Sequence, residues 1–207
     1  MRVKSEERRL AILEAAKSVF LERGYGAASM SEISARVGGS KQTLYSYFTS
    51  KDELFVAVML EKGAILIDPL FDSFHDNRDL PAGLSEFAIQ FLRFIVSPEI
   101  LTFRRIIHAE GAKSNLGKLF FENGPKRGWT RMAADFGRAM DDGRMRRADP
   151  WQAVMQFNAL CEAGQIQRLF EGVVEAIDDA DLVSAAQAAV DVFARAYELK
   201  SANTLEG

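Results

Sequence analysis

The stretch SKQTLYSYFTSKDELF, residues 40–55, decides the fold of this chain. Leu44 and Phe48 lie four positions apart, which places both apolar side chains on one face of a helix. Ser40 precedes that helix, and serine is a favoured capping residue because its hydroxyl accepts a backbone N–H of the first turn. The pattern therefore predicts a short, half-buried helix over residues 41–48.

A second helix is predicted to follow at once, over residues 51–67. Ser50 and Glu53 have the spacing of a capping box, which marks the start of a helix. Lys51 is unusual there, because the helix dipole disfavours a cation in the first turn whereas the exposed N–H groups favour an anion. A phosphate bound at this point would satisfy both. The alternative is a solvated lysine whose charge is offset by Asp52 and Glu53.

Two helices are predicted upstream of residue 40. The first covers residues 5–23 and ends at Gly24. A shorter one begins after Ser29, which forms a capping box with Glu32, and it ends at the double glycine of residues 38–39, where a tight turn with positive φ is possible. Three helices in about fifty residues, with a glycine turn between the second and third, predict a helix-turn-helix.

The outer face of the third predicted helix has the chemistry of a DNA-reading surface. It carries Lys41, Gln42, Thr43, Tyr45 and Tyr47. A glutamine can pair bidentately with adenine, a threonine methyl can contact thymine, and a lysine can reach guanine or phosphate. Tyrosine hydroxyls bind phosphates and so set the register. The face therefore predicts insertion into the major groove.

The remainder of the chain is predicted to be helical as well, because apolar residues recur at spacings of three and four and no sustained alternation indicates strands. A break with short turns is expected from Asp68-Pro69 to Pro81. The helices expected after it cover residues 81–96, 97–112, 116–142 with an interruption near Gly124-Pro125, 149–171, and 178 or 181 to 199.

Charge and composition limit the possible functions. Residues 1–51 hold nine lysines and arginines against five glutamates, although the chain of 207 residues has a net charge of −3. A basic head on an acidic body fits DNA binding, and a chance fluctuation is the alternative. The sequence has a single cysteine, no apolar run long enough to span a bilayer and no secretory signal. These features predict a cytoplasmic protein. His75 and His108 offer no metal-ligating spacing, so neither a metal nor a cofactor is expected.

Residues 9–55 resemble the DNA-binding domain of TetR-family regulators. The shared pattern is Phe20-x-x-x-Gly24-Tyr25, Ser29-x-x-x-Ile33, the glycine turn with Ser40, and Tyr45-x-Tyr47-Phe48-x-x-Lys51-x-x-Leu54-Phe55. Two positions depart from the family, which usually has valine in place of Gly39 and histidine in place of Tyr47. Ser97-Pro98-Glu99 through Arg105, with the later Gly124-Pro125, resembles the AefR-like branch of the family.

The resemblance implies an all-α protein with a helix-turn-helix domain over residues 1–50 and a helical ligand-binding and dimerisation domain over residues 51–207. It implies a homodimer, formed through the helices at 150–171 and 181–199, that binds a palindromic double-stranded DNA operator. The expected function is repression relieved by a small apolar or aromatic effector, with activation as the alternative. The residues expected to contact DNA are Ser29, Ser40, Lys41, Gln42, Thr43, Tyr45, Tyr47 and Lys51.

The effector is expected among the aromatic residues of the body, because the chain has 15 phenylalanines and 2 tryptophans, most of them after residue 70. The candidate pocket residues are Phe91, Phe94, Phe103, Ile107, Phe121, Trp129, Met132, Phe157 and Cys161. For each residue, ordinary core packing is the alternative. Cys161 could be a redox switch, but a small buried hydrophobic residue is the commoner role for a free cysteine.

Two other classes of function are weighed against a regulator. An enzyme is disfavoured because the sequence has no glycine-rich phosphate loop, no Gly-x-Ser-x-Gly elbow and no histidine or cysteine constellation. A helical scaffold that does not bind DNA would tolerate replacement of Lys41, Thr43 and Tyr45, whereas a regulator would not.

Overall fold

The computed structural model describes residues 5–76 and 79–200, apart from the side chains at 62, 64, 66 and 76. This part of the chain is helical and contains no strand, which confirms the all-α prediction. Its helices are α1 Glu6–Ala27, α2 Met30–Val37, α3 Lys41–Tyr47, α4 Lys51–Leu66, α5 Asp68–Asp76, α6 Leu80–Ile95, α7 Pro98–Glu110, α8 Leu116–Asn123, α9 Pro125–Asp141, α10 Pro150–Glu162, α11 Gln165–Phe170 and α12 Asp179–Ala196.

The predicted caps at the first helices are confirmed. The hydroxyl of Ser29 accepts the N–H of Glu32 at 3.2 Å, and that of Ser40 accepts the N–H of Thr43 at 3.1 Å. Gly24 has φ 74° and interrupts α1, where the sequence predicted its end. Short-range capping therefore determines where α2 and α3 begin, whereas glycine conformation interrupts α1 and ends α2.

Two predictions about the later helices are wrong. The expected break from Asp68-Pro69 to Pro81 contains α5, because Leu70, Phe71 and Phe74 form an apolar face that is buried. The single helix expected over residues 149–171 is two helices, since Gly164 has φ 67° and separates α10 from α11. A proline in a first turn starts a helix as readily as it ends one, and a positive φ ends a helix even inside an apolar pattern.

Helix packing divides the chain into two compact units. Among the described residues, unit 1 comprises residues 5–63 and 102–124, and unit 2 comprises residues 64–76, 79–101 and 125–200. In unit 1, α1 packs on α2 and α2 on α3. Phe55 of α4 is fully buried there, with ring centroids 4.9 Å from Phe20 and 5.2 Å from Phe103 of α7. The domain boundary at residue 50 stays a prediction, and the compact unit that holds the helix-turn-helix is discontinuous in sequence.

Unit 2 is a helical bundle with an aromatic core. Helix α6 packs on α12, α10 packs on α9 and α12, and α5 packs on α6 and α9. Phe87 has its ring centroid 5.0 Å from Phe71, 6.0 Å from Trp129 and 6.3 Å from Phe157. Within the described residues, no helix is both long enough and apolar enough to cross a membrane.

Candidate nucleic-acid interface

Helix α3 separates its buried and exposed residues as predicted. Leu44 is 2% exposed and Phe48, directly after the helix, is 4% exposed, so both anchor it to the core of unit 1. Lys41, Gln42 and Tyr45 are exposed, Tyr45 to 47%. Burying one face of a seven-residue helix thus leaves a row of hydrogen-bonding side chains on the other, as a reading helix requires.

Four other residues predicted to contact DNA lie on α3 or at the starts of α2 and α3. Ser29 and Ser40 are exposed at the starts of α2 and α3, and Thr43 is half-buried, with its hydroxyl 2.9 Å from that of Ser40. The hydroxyl of Tyr47 accepts the backbone N–H of Ser5 at 3.0 Å. The residues predicted to contact DNA around α3 are thus exposed or half-buried, and the cap serines hold the helix ends while presenting polar atoms.

Lys51 has a structural role that was not predicted from the sequence. Its ammonium donates to the carbonyl of Tyr25 at 2.8 Å and to that of Ala28 at 3.2 Å. The same ammonium lies 4.3 Å from the centroid of the Tyr25 ring. The Tyr25 hydroxyl donates to the carboxylate of Asp52, and burial together with this bond raises the pKa of Tyr25 well above its usual range. Lys51 therefore ties the start of α4 to the end of α1, within the basic head.

We expect Lys51→Met to lower the free energy of unfolding by about 1–3 kcal/mol, because two partly buried carbonyls lose their donor. Lys41→Met removes the same charge from an exposed position of α3 and should change stability by less than about 0.5 kcal/mol. Urea unfolding of the two variants makes the comparison. Equal stabilities of the two variants would contradict the structural role of Lys51. A phosphate contact by Lys51 is measured separately, from the salt dependence of DNA binding.

Two residues that support α3 and the turn before it were not predicted from the sequence. The Arg8 guanidinium donates to the carbonyls of Val37 and Gly38, both at 3.3 Å. Ser34 is 4% exposed, and its hydroxyl donates to the carbonyl of Gly39 at 2.7 Å. The sequence signal for Arg8 is Gly39, where the family usually has valine, because a glycine leaves room for a side chain from another helix.

The structure brings together only part of the predicted ligand pocket. Phe91, Trp129, Met132, Phe157 and Cys161 are buried in the core of unit 2, with Phe94 packed against it. In contrast, Phe103, Ile107 and Phe121 belong to unit 1. Phe103 is fully buried there against Phe55, and Phe121 is 38% exposed.

A shallow recess on unit 2 has a different lining from the predicted pocket. Its lining residues come from α5 and α6, and they are Leu70, Ser73, Phe74, Gly83, Glu86 and Phe87. Among the residues that the structure describes, no group of histidine, cysteine and carboxylate side chains has an arrangement that could hold a metal ion.

Cys161 is a buried apolar group in this structure. The residue is 1% exposed, and burial raises the pKa of its thiol to about 12. Because the thiolate is the reactive form, a thiol with so high a pKa reacts slowly near neutral pH. Of the two alternatives, the geometry favours the small hydrophobe over the redox switch.

We expect the native protein to resist an aromatic disulfide reagent at about pH 7.5, and to react with it stoichiometrically once unfolded in urea, where the thiol regains an ordinary pKa of about 8.5. Absorbance of the released thiol measures both reactions. Stoichiometric labelling of the folded protein, faster than its unfolding, would show that Cys161 is accessible and reactive after all.

Two family models match the chain and account for most of its length. Residues 12–58 match the model of bacterial regulatory proteins of the TetR family. Residues 82–199, more than half of the chain, match the C-terminal domain of AefR-like transcriptional repressors. The chain belongs to the TetR family. TetR-family proteins are DNA-binding transcription factors rather than enzymes. The resemblance inferred from the sequence is therefore confirmed.

Similar proteins and structures agree with membership of the TetR family. The crystal structure of a regulator from Mesorhizobium loti, described as of the TetR family, has a TM-score of 0.80 and 26% sequence identity to this chain. The match covers 95% of this chain and 99% of that regulator. The flavonoid-responsive regulator FrrA is 27% identical with a TM-score of 0.73, covering 93% and 98%. The transcriptional activator FasR of Mycolicibacterium smegmatis is 52% identical over 58 residues, which are 28% of this chain. The match spans only about a quarter of FasR, 26% of its length.

Proposed function

We propose that this TetR-family protein is a homodimeric repressor that leaves a palindromic DNA operator when a small apolar or aromatic molecule binds its helical body. The observation that carries the DNA-binding part is the exposed polar face of α3, held on the core by Leu44 and Phe48. On this proposal Lys41, Gln42 and Thr43 contact bases or phosphates.

Phosphate contacts would surround this face. Tyr45 and Tyr47 would donate their hydroxyls to phosphates, as would the backbone at the start of α2 near Ser29 and that near Ser40. Two of the three N–H groups of the Lys51 ammonium donate to carbonyls. A phosphate contact would therefore use its charge and the remaining N–H.

The outer faces of two adjacent helices support a homodimer. On α10, Gln152, Gln156 and Ala159 are exposed at spacings of four and three. On α12, which packs beside it, exposed residues at spacings of four are Ser184, Ala188 and Val192. These six positions carry no charge, although Asp181, Asp191 and Arg195 are exposed beside them on α12. Uncharged exposed positions on two neighbouring helices suit a second copy of the chain, with the charged residues at the rim of the contact. Two-fold symmetry of such a dimer would make the operator palindromic.

The aromatic core of unit 2 supports an aromatic effector. The Phe91 and Trp129 rings meet edge to face at 5.3 Å, and Phe87 lies 5.8 Å from Phe91. Rings held this way can stack on a flat guest that displaces a neighbouring side chain. FrrA, which is similar over almost its whole length, is described as responsive to flavonoids, which are aromatic molecules. We infer an effector site near Phe91, Phe94, Trp129, Met132, Phe157 and Cys161.

Repression is proposed because the matched C-terminal domain is described as that of AefR-like repressors. FasR is named an activator, but it matches over only 58 residues. Deleting the gene should raise transcription from the promoter that holds the operator. A fall in transcription would reverse the assignment and make the protein an activator.

Selection of bound sites from random duplexes tests the proposal. We expect an inverted repeat whose half-sites are separated by about one helical turn or a multiple of it. Gln42→Ala should weaken binding to that site by about 1–3 kcal/mol and relax the base preference at one position of each half-site. Ser46→Ala, an exposed change on the same helix, is the matched control and should have little effect. If the dimer shifts no duplex at low ionic strength, DNA binding through α3 must be abandoned.

A further inference from the structure

The turn between α2 and α3, residues 37–39, determines the direction in which the reading helix leaves its neighbour, because Ser40 caps α3 immediately afterwards. Gly38 has φ 70°, in the left-handed region. The N–H of Gly38 donates to the carbonyl of Ala35 at 3.1 Å, and that of Gly39 donates to the carbonyl of Ser34 at 3.2 Å. The backbone of the turn is therefore closed onto the end of α2, as in a Schellman-type cap.

Side chains bind all three carbonyls of this turn. Arg8 donates through Nη1 to Val37 and through Nη2 to Gly38, each at 3.3 Å, and Ser34 donates to Gly39 at 2.7 Å. A cation at the C-terminal end of α2 also offsets the negative end of the helix dipole. A planar guanidinium donates to the two neighbouring carbonyls from two separate nitrogens in a fixed fork, whereas an ammonium would have to reach both from one nitrogen.

Gly39 makes this arrangement possible. A Cβ at position 39 would overlap Nη2 of Arg8. The backbone of Gly39 is not in the left-handed region, so its conformation does not itself demand glycine. A side chain at position 39 would therefore have to move the Arg8 guanidinium away from the carbonyls that it binds. Gly38 is the opposite case, because a Cβ there would meet nothing within 4 Å but would be strained by its positive φ.

The start of α1 also contacts the far end of α3, where the N–H of Ser5 donates to the hydroxyl of Tyr47. We propose that Arg8 is a positioning residue for DNA recognition, which holds the turn before α3 through the space left by Gly39 and so fixes the reading helix at its beginning. The inference rests on the proposed use of α3 in binding DNA. Arg8 acts through the turn and not by touching the operator.

Double-mutant cycles between Arg8 and each glycine test this proposal. Affinity for the selected operator and for unrelated duplex would be measured, at a temperature where circular dichroism shows every variant folded. We expect Arg8→Ala and Gly39→Ala each to weaken operator binding roughly tenfold, the loss expected from about two hydrogen bonds, and to leave affinity for unrelated duplex nearly unchanged. In the Arg8→Ala background, Gly39→Ala should cost less than about twofold, because there is nothing left to displace.

Gly38→Ala is the matched control and should cost the same factor in both backgrounds. Arg8→Lys should fail to restore full affinity. Additive effects of Arg8→Ala and Gly39→Ala, or wild-type operator affinity of Arg8→Ala, would overturn the proposal. So would a salt slope lowered by about one unit in Arg8→Ala, since that result identifies a direct phosphate contact.

The same cycle is repeated on the midpoint of urea unfolding of the DNA-free protein. Coupling between Arg8 and Gly39 is expected there too, and its absence would overturn the proposal without reference to DNA. Failure of the wild-type protein to bind any duplex would instead refute the proposed function, so the two failures are distinguishable.

Discussion

Phe55→Ala is expected to lower the free energy of unfolding by about 3–5 kcal/mol and to abolish DNA binding at temperatures that the parent protein tolerates. The Phe55 side chain is fully buried, with Phe20, Tyr25 and Phe103 at centroid distances of 4.9, 5.1 and 5.2 Å. Removing the ring leaves a cavity between α1, α4 and α7, and the helix-turn-helix loses the support beneath it.

Phe121→Ala is the matched control, because it removes the same ring from a 38% exposed position in the same unit. Its cost should stay below about 1 kcal/mol. Urea unfolding followed by circular dichroism, with a binding titration at low temperature, compares the two variants. A Phe55→Ala protein as stable as Phe121→Ala would show that the aromatic cluster does not hold unit 1 together.

Gly128→Ala is expected to destabilise the protein by about 1–3 kcal/mol, against the usual trend for glycine in a helix. A Cβ at position 128 would overlap the ring of Phe71, with Cε2, Cζ and Cδ2 as its nearest atoms. That ring cannot retreat easily, because Phe87 lies 5.0 Å and Trp129 5.4 Å from its centroid. The substitution should therefore displace α5, which carries Phe71.

Gly137→Ala makes the same change on the same helix, where the added carbon would meet only Pro150 at an ordinary 3.7 Å. It should stabilise the protein by up to about 1 kcal/mol. Opposite signs for the two substitutions in thermal or urea unfolding are the expected result. Near-ultraviolet circular dichroism should change only for Gly128→Ala, through Trp129, and stabilisation by that variant would contradict the tight packing of Phe71 on α9.

The helix-turn-helix could be predicted from sequence because short-range interactions determine it. Ser29 and Ser40 each bond to a backbone N–H three residues ahead, and Gly38 ends α2 in the left-handed region. These contacts need no knowledge of the remaining chain. Arg8 was missed because its partners, Val37 and Gly38, lie 29 and 30 positions away.

The body was harder to predict for a related reason. The spacing of apolar residues indicates that a side chain is buried but does not indicate what it is buried against. Phe103 and Phe157 look alike in sequence, yet Phe103 packs on Phe55 in unit 1 and Phe157 packs on Phe193 in unit 2. For the same reason α5 was not predicted, since Phe71 and Phe74 on this helix pack against aromatic rings of α6 and α9, which lie later in the sequence.

The contact between Phe55 and Phe103 has a practical consequence for engineering. The compact unit that holds the helix-turn-helix is not confined to the beginning of the chain, because it includes residues 102–124. A chimeric sensor made with one splice after residue 63 would graft the head without the ring that packs against Phe55. A hybrid that keeps the DNA-binding specificity needs three splices, after residues 63, 101 and 124, so that both segments come from the same parent.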